Sequence, residues 1–125
     1  ELTSNLGISA ATLVGKMSKK QRAEVLQLAD DRVIKAVFAT TVADEGLDLP
    51  GLDTLILTTP TKSMGRIQQR IGRIMRKADN KKEPIVIDCV DSAPALFRMH
   101  QKRSRFYSRL GCEVRKVSRS VTHEL

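Results

Sequence analysis

The sequence predicts an α/β fold, with a parallel β-sheet covered by helices on both faces and built as a single domain. Short runs of Val, Ile and Leu alternate along the chain with helical patterns, as they do in right-handed βαβ units. Hydrophobic residues make up 41% of the chain and aromatic residues only 3%, and this aliphatic bias is typical of strands buried on both faces. The length of 125 residues suits one domain with its own core.

Short apolar runs bounded by Gly, Pro or polar residues carry the strand prediction. We predict strands at Ala11–Val14, Val33–Ala39, Thr54–Thr59 and Ile85–Val90, with Cys112–Val117 as the candidate for a last strand. The domain is therefore expected to span residues 1–117, and residues 118–125 are expected to form a tail.

Residue patterns that mark the ends of helices lie between the predicted strands. Ser18 followed three residues later by Gln21 is a capping box, which predicts a helix directly after it. Ser63 is the expected N-cap of a second helix that extends to Lys77. A third, long helix is predicted at Ala93–Leu110, closed by a glycine.

The expected place of a functional site follows from the parallel sheet. Ligands of such sheets bind at the carboxyl ends of the strands. That rule gathers Thr40–Asp48, Thr58–Ser63 and the start of the second helix along one edge. We therefore expect the site at that edge.

The second helix has two opposite faces at 100° per residue. An apolar arc of about 100° contains Ile67, Ile71, Ile74 and Met75, and the opposite arc of about 120° contains Arg66, Arg70, Arg73 and Arg76. No acidic residue lies between Asp53 and Asp79 to pair with these arginines. An all-arginine face favours an anionic ligand held by bidentate guanidinium groups, and a plain basic surface is the alternative.

Positive charge is concentrated in the second half of the chain. Residues 1–60 carry 6 basic and 8 acidic side chains, whereas residues 61–125 carry 16 and 6, within a net charge of +8. This asymmetry favours a polyanionic partner, and charge alone is compatible with nucleic acid, nucleotide or membrane surface. The long helix has no acid between Asp91 and Glu113. Its cations fit either phosphate contacts or a solvated face.

The chain lacks the residues that several kinds of catalytic or metal-binding site require. The chain has no Gly-Lys-Ser/Thr loop with which to cradle a nucleoside triphosphate. Cys89 and Cys112 have no Cys/His cluster beside them, so no zinc site is predicted, and Cys89 is expected in the core. Asp44, Glu45 and Asp48 lack a second ligand cluster, so we predict no metal site there.

Arginine is therefore the main group that the chain offers to a reaction. Arginines aimed at a transferring phosphoryl group stabilise its developing charge, an effect of about 10³–10⁵ in rate. Such arginines act on a nucleotide that another domain holds, so the sequence predicts half of an active site.

Two segments resemble motifs of superfamily 2 helicases. Val37–Pro50 (VFATTVADEGLDLP) resembles motif V, and Gln69–Arg76 (QRIGRIMR) resembles motif VI, in the order and spacing of that family. Gly15 and Lys16, ahead of the helix that contains Arg22, resemble the segment before motif V. The resemblance covers about Leu13–Asp91. It implies the second, C-terminal RecA-like domain of an ATP-driven nucleic-acid helicase or translocase.

Matched position by position, the resemblance implies roles for individual residues. The catalytic arginines at the γ-phosphate would be Arg73 and Arg76. The other residues at the ATP would be Gly46, Asp48, Gln69 and Arg70, with Asp48 at the ribose and the last two linking the nucleotide to the facing domain. The nucleic-acid backbone would be contacted by Gly15, Lys16, Thr40 and Thr41. Gly46 also fits a simple turn.

Two positions depart from the commonest family patterns. Gln69 stands where helicases of the DEAD-box branch have His, which disfavours that branch. Thr41 stands where Asp is common, which leaves its role open. The residue sequences of both motifs are most similar to those of DNA repair or transcript-release helicases of phages and large DNA viruses.

The resemblance also implies cofactors and partners. ATP with Mg²⁺ is expected, with the Mg²⁺ held by an N-terminal RecA-like domain absent from this chain, so the fragment alone is expected to be inactive. The first strand of the fold is expected to be missing as well. The expected partners are DNA, with RNA as a possibility, and that N-terminal domain, with no membrane. The expected location is intracellular and soluble, in the cytoplasm, the nucleus or a viral replication site.

Two other hypotheses stay open. The chain is also compatible with a non-enzymatic basic module that binds nucleic-acid phosphates directly through the arginine helix. The third is a regulatory domain that binds another protein through an apolar sheet edge.

Overall fold

The computed structural model describes residues 6–40, 48–59, 61 and 63–118. Within them, strands and helices follow in the order β1 Ala10–Leu13, α1 Lys19–Asp30, β2 Ala36–Ala39, β3 Thr54–Leu57, α2 Met64–Ile74, β4 Ile85–Asp88 and α3 Pro94–Arg109. This order confirms the predicted α/β fold. None of the helices in the described ranges is long and apolar enough to cross a membrane.

The strands form two parallel pairs. β1 pairs with β2 so that Leu13 lies opposite Ala39, and β3 pairs with β4 so that Leu57 lies opposite Asp88. Over the described residues the two pairs are separate sheets. In each pair a helix connects the strands, so that β1–α1–β2 and β3–α2–β4 are both βαβ units. The parallel arrangement is thus as predicted, with strands shorter than the apolar runs.

Helix α1 begins at the predicted capping box. The Gln21 N–H donates to Ser18 Oγ at 3.2 Å, and the Ser18 N–H donates to Gln21 Oε1 at 2.9 Å. At the other end, the N–H of Val33 donates to the Leu28 carbonyl, which closes the helix in a Schellman arrangement. Arg32 stands at the left-handed position of this arrangement, with a φ of 58°.

Helix α2 buries one face against β3. Ile67, Ile71 and Ile74 are 1%, 2% and 0% exposed, and burial of each such side chain stabilises the fold by about 1.5–3 kcal/mol. Ser63 caps the helix as predicted, because its Oγ accepts the N–H of Arg66. Met75 was expected in the same apolar face, but it is 50% exposed because the helix ends one residue earlier.

Two further predictions are wrong. Cys89 is exposed and lies outside the core, since β4 has ended at Asp88. Cys112–Val117 forms no strand within the described residues, and its side chains are exposed. Charged residues interrupt that segment, and Glu113 pairs with Arg115 two residues away at 2.8 Å, so the chain offers no continuous apolar run to a neighbouring strand.

The chain divides into two compact units. The first comprises residues 1–58 and 63–89 and contains both strand pairs with α1 and α2. The second comprises residues 59–62 and 90–125 and contains α3. In the second unit the N–H of Cys112 donates to the Tyr107 carbonyl at 3.1 Å, beside Gly111 with a φ of 78°. The predicted glycine stop of the long helix is therefore confirmed.

Candidate functional site

The arginine-rich end of α2 lies near the amino ends of the β3–β4 pair. Helix α2 starts after the carboxyl end of β3 and must return to the amino end of β4, because the two strands are parallel. Its 11 residues extend about 16 Å. Arg73 and Arg76, at and beyond its last turn, therefore lie toward the amino ends of β3 and β4. The sequence analysis placed only the start of α2 at the carboxyl edge, and these two arginines lie at the other end of the strand pair.

An ion pair joins the two motif-like segments at this end of the helix. Arg76 Nη1 lies 2.8 Å from Asp48 Oδ1, and the two residues are 28 positions apart in the chain. Asp48 precedes β3, which agrees with the return direction of α2. The expectation that Asp48 lies at the carboxyl edge was therefore wrong, because its partner Arg76 is near the amino ends of the strands. Both side chains are open to solvent, at 57% and 73% exposure. The pair therefore lies on the surface, where a further ligand can reach the remaining donors of the guanidinium group.

The backbone of Arg76 is also held in place. Its N–H donates to the Arg73 carbonyl at 3.3 Å, and its own carbonyl accepts from Lys81 Nζ at 2.5 Å. Lys81 returns to this position through a turn in which its N–H donates to the Ala78 carbonyl and Asn80 has a φ of 59°. Asparagine tolerates this left-handed conformation better than most residues. Lys81 was missed by the sequence analysis, since it lies in a polar loop without any motif.

The other predicted nucleotide residues of α2 lie close to Arg73. Arg70 and Arg73 are half-buried, and Gln69 is exposed. At 100° per residue, these three fall within an arc of about 100° that adjoins the buried isoleucine face. The helix thus presents a polar ridge of two guanidinium groups and one amide, which extends toward Arg76. Gly46 lies outside the described residues.

A second group of predicted residues meets at the carboxyl edge of the β1–β2 pair. Gly15 and Lys16 follow β1, and Thr40 follows β2; all three are exposed. The Thr40 N–H donates to the Leu13 carbonyl at 3.3 Å, so the two strand ends lie side by side. This is the edge at which the sequence predicted binding residues. Thr41 lies outside the described residues.

Arg22 holds the turn that carries Gly15 and Lys16. Its Nη2 donates to the Gly15 carbonyl at 2.9 Å, and the N–H of Met17 donates to the Val14 carbonyl at 3.1 Å. The Nε of Arg22 is buried and has no hydrogen-bond partner in the described part of the chain. Arg22 therefore couples the turn to α1. The sequence had placed Arg22 in the motif-like segment without a role for it.

The chemistry of these groups fits phosphate and does not provide a metal-binding set. Guanidinium and ammonium groups donate to phosphate oxygens and carry the opposite charge. Within the residues that the structure describes, no three His, Cys, Asp or Glu side chains come together in a way that could hold a metal ion. The described cations therefore suit a ligand that carries phosphate groups.

Comparison with known proteins identifies the family. The profile of the family "Helicase conserved C-terminal domain" matches residues 1–78. "Putative helicase 22" of Sulfolobus islandicus filamentous virus is 30% identical over 106 residues, which are 85% of this chain and 19% of the viral protein. The DNA 3'-5' translocase XPB2 of Sulfurisphaera tokodaii is 35% identical over 88 residues, which are 70% of this chain and 20% of XPB2. The chain thus spans about a fifth of the length of these relatives.

A solved structure shows the same fold. The yeast DEAD-box splicing factor Prp28 superimposes with a TM-score of 0.69 at 24% identity, over 99% of this chain and 30% of Prp28. At this identity the likeness establishes the fold alone, and the family match establishes the kinship. The chain belongs to the helicase conserved C-terminal domain family and has the RecA-like fold of the C-terminal domain of superfamily 2 helicases.

Proposed function

We propose that this chain is the C-terminal motor domain of an ATP-dependent nucleic-acid helicase or translocase and that it supplies one half of the ATP site. The observation that carries the proposal is the Asp48–Arg76 pair, which brings together the segments that resemble motifs V and VI. The other half of the site, including the ligands of Mg²⁺, would come from an N-terminal RecA-like domain of the same protein.

In this proposal Arg73 and Arg76 are the catalytic arginines. Their positive charge would stabilise the charge that develops on the transferring γ-phosphoryl group. Arg76 uses Nη1 for Asp48, and a guanidinium group has five N–H donors in total. Asp48 can therefore orient Arg76 while other donors face the phosphate. Gln69 and Arg70 would connect the nucleotide to the facing domain, and Gly46 would lie against the nucleotide.

The carboxyl edge of the β1–β2 pair would contact the nucleic-acid backbone. Gly15 and Lys16 on one turn and Thr40 beside it offer backbone N–H groups, an ammonium and a hydroxyl, which are groups that bind phosphate without reading sequence. Thr41 would extend the same contact. DNA is the proposed partner, in line with a relative that is named a DNA translocase, and RNA is the alternative.

We also propose that the domain comprises residues 1–117 together with one more parallel strand, and that residues 118–125 form a tail. Two observations support the extra strand. The described strands form two separate parallel pairs within one compact unit. Large apolar side chains on these strands remain half exposed, among them Phe38 and Ile56 at 55% each. A further strand and the facing domain would cover such surface.

The proposal is tested by ATP hydrolysis. The purified chain should hydrolyse no ATP, because it lacks a loop for the triphosphate. In the full-length protein, Arg73→Ala or Arg76→Ala should lower the ATPase rate by about 10³–10⁵ and leave nucleic-acid affinity largely intact. Arg66→Ala, an exposed arginine at the start of the same helix, is the matched control and should keep the rate within about twofold. Robust ATPase activity of the 125-residue chain itself would overturn the proposal.

The second candidate, a non-enzymatic module that binds phosphates through the arginine helix, makes a different prediction. Each Arg→Ala change on α2 should weaken nucleic-acid binding about equally and lower the salt dependence by a similar step. The observation in its favour is the high positive charge of the second half of the chain. The ATPase and binding assays on the same variants distinguish the two.

A further inference from the structure

Helix α3 carries a continuous cationic stripe that neither motif includes. Its exposed basic residues recur at helical spacing and lie within about 60° of one another; they are Arg98, Lys102, Arg105 and Arg109. From first to last the stripe extends about 16 Å at roughly 1.5 Å per residue. Consecutive phosphates of one strand lie about 3.4 Å apart along a B-form helix. The stripe is therefore long enough to meet several phosphates of a single strand.

A shallow groove adjoins the stripe. It has a volume of about 220 Å³ and is lined by Phe97, His100, Gln101, Ser104, Arg105 and Lys116. All of these belong to the second compact unit. Lys116 comes from the segment after the helix, so the groove has cations from two parts of the chain. Arg105 belongs to both the groove and the stripe, so one ligand can contact both at once.

Phe97 is a flat apolar surface within this polar groove. It remains 45% exposed, and its ring lies 6.0 Å from the His100 ring at a tilt of 49°. This tilted contact orients the phenyl ring. Around it, Gln101 and Ser104 supply hydrogen-bonding groups in place of further apolar surface. The groove is smaller than the pockets of about 300–1,000 Å³ that enclose a drug-sized ligand, so it suits one flat ring at its edge.

Within the described residues of this unit, the two acids Asp91 and Glu113 each have a hydrogen-bonding or ionic partner. Asp91 accepts the N–H of Ala93 at 2.9 Å at the start of the helix. Glu113 is paired with Arg115 at 2.8 Å. No other acid lies between these two positions in the sequence. The described residues of the groove and stripe thus carry an excess of positive charge, which favours a strand of phosphates.

We propose that α3 binds single-stranded nucleic acid, with one base stacked on Phe97 and its neighbouring phosphates held by Arg105 and Lys116. Aromatic platforms beside cationic grooves are the common way to hold single strands without reading sequence. The biological role of this site rests on the proposed motor function, because a translocase must bind the strand while it moves along it. The stacking itself depends only on α3 and the segment after it.

The test measures binding of a labelled oligothymidine to the 125-residue chain by fluorescence anisotropy between about 50 and 200 mM NaCl. Phe97→Leu keeps an apolar side chain and removes the ring, and should weaken binding at least about fivefold. Phe97→Tyr keeps the ring and should bind like the wild type. Arg105→Gln and Lys116→Gln should each weaken binding and lower the salt slope by about 0.7. Lys82→Gln and Val33→Ala, exposed positions in the first unit, are the matched controls and should change neither quantity.

Photocrosslinking supplies an independent readout of stacking. An oligonucleotide with 5-iodouracil should form its adduct at Phe97, mapped by mass spectrometry. The proposal is overturned if Phe97→Leu binds like the wild type, if the adducts map only outside α3, or if polyglutamate competes as well as the oligonucleotide, which would point to an acidic protein partner. ATPase assays on Arg73→Ala in the full-length protein separate the two proposals. If that variant keeps the wild-type ATPase rate while Phe97→Leu still weakens strand binding, the motor function is rejected and the strand-binding groove is kept.

Discussion

Replacing Asp48 by Asn tests whether the exposed ion pair with Arg76 is structural or functional. The change keeps the shape of the side chain and removes its charge. At 2.8 Å a pair in bulk water gains about 1.5 kcal/mol, and exposed pairs contribute only about 0.2–1 kcal/mol once side-chain ordering is included. The free energy of unfolding should therefore fall by less than about 1 kcal/mol. Urea unfolding followed by circular dichroism measures it.

The effect on catalysis should be much larger than the effect on stability. If Asp48 orients Arg76 toward the phosphate, Asp48→Asn should lower the ATPase rate of the full-length protein by about 10²-fold, the cost of misplacing a catalytic group by about 1 Å. Asp30→Asn, which removes an exposed carboxylate from α1, is the control and should leave the rate unchanged.

A double-mutant cycle separates the two roles that Asp48 can have. If Asp48 acts through Arg76, adding Asp48→Asn to Arg76→Ala should cause no further loss of ATPase activity. If Asp48 contacts the ribose directly, as the family resemblance implies, the further loss should persist and should raise KM. A fall in unfolding free energy above about 2 kcal/mol with an unchanged ATPase rate would refute the functional interpretation of the pair.

Three further predictions concern stability and the turn at Gly15. Ile74→Ala should destabilise the chain by about 2–5 kcal/mol in urea unfolding because Ile74 is fully buried, whereas Ile85→Ala, at 54% exposure, should cost clearly less. Arg32→Gly should raise the melting temperature, since it relieves about 1 kcal/mol of strain at a φ of 58°; an unchanged or lower melting temperature contradicts this. Arg22→Lys should lose the hydrogen bond to the Gly15 carbonyl and therefore weaken nucleic-acid binding severalfold, as measured by fluorescence anisotropy. An affinity equal to that of the wild type would contradict the coupling of Arg22 to this turn.

Local features of the fold could be predicted from the sequence because their causes are local. The capping box at Ser18 and the cap at Ser63 depend on residues within one helical turn, and both are where the sequence placed them. Strand ends were less predictable, since Val33 is apolar but belongs to the closure of α1. The exposure of Cys89 depends on where β4 stops, and an apolar run does not show that.

The candidate site depended on long-range geometry. The resemblance to motif VI singles out Arg73 and Arg76, but only the direction in which α2 returns shows that they lie away from the carboxyl edge. The contact of Arg76 with Asp48 spans 28 positions, and no local pattern specifies it. Lys81 acts on Arg76 through the fold of a turn, so its side chain carried no recognisable signal.

The turn from Ala78 to Lys81 fixes the number of residues that can lie between Arg76 and Lys81. It brings Lys81 Nζ back to the Arg76 carbonyl only because the number of residues between them is fixed. A residue inserted between Arg76 and Lys81 would move the ammonium off that carbonyl and release the backbone that carries the guanidinium group. The same insertion after Lys82 would only lengthen the exposed connection to β4. We therefore expect the loop to tolerate insertions after Lys81 and not before it.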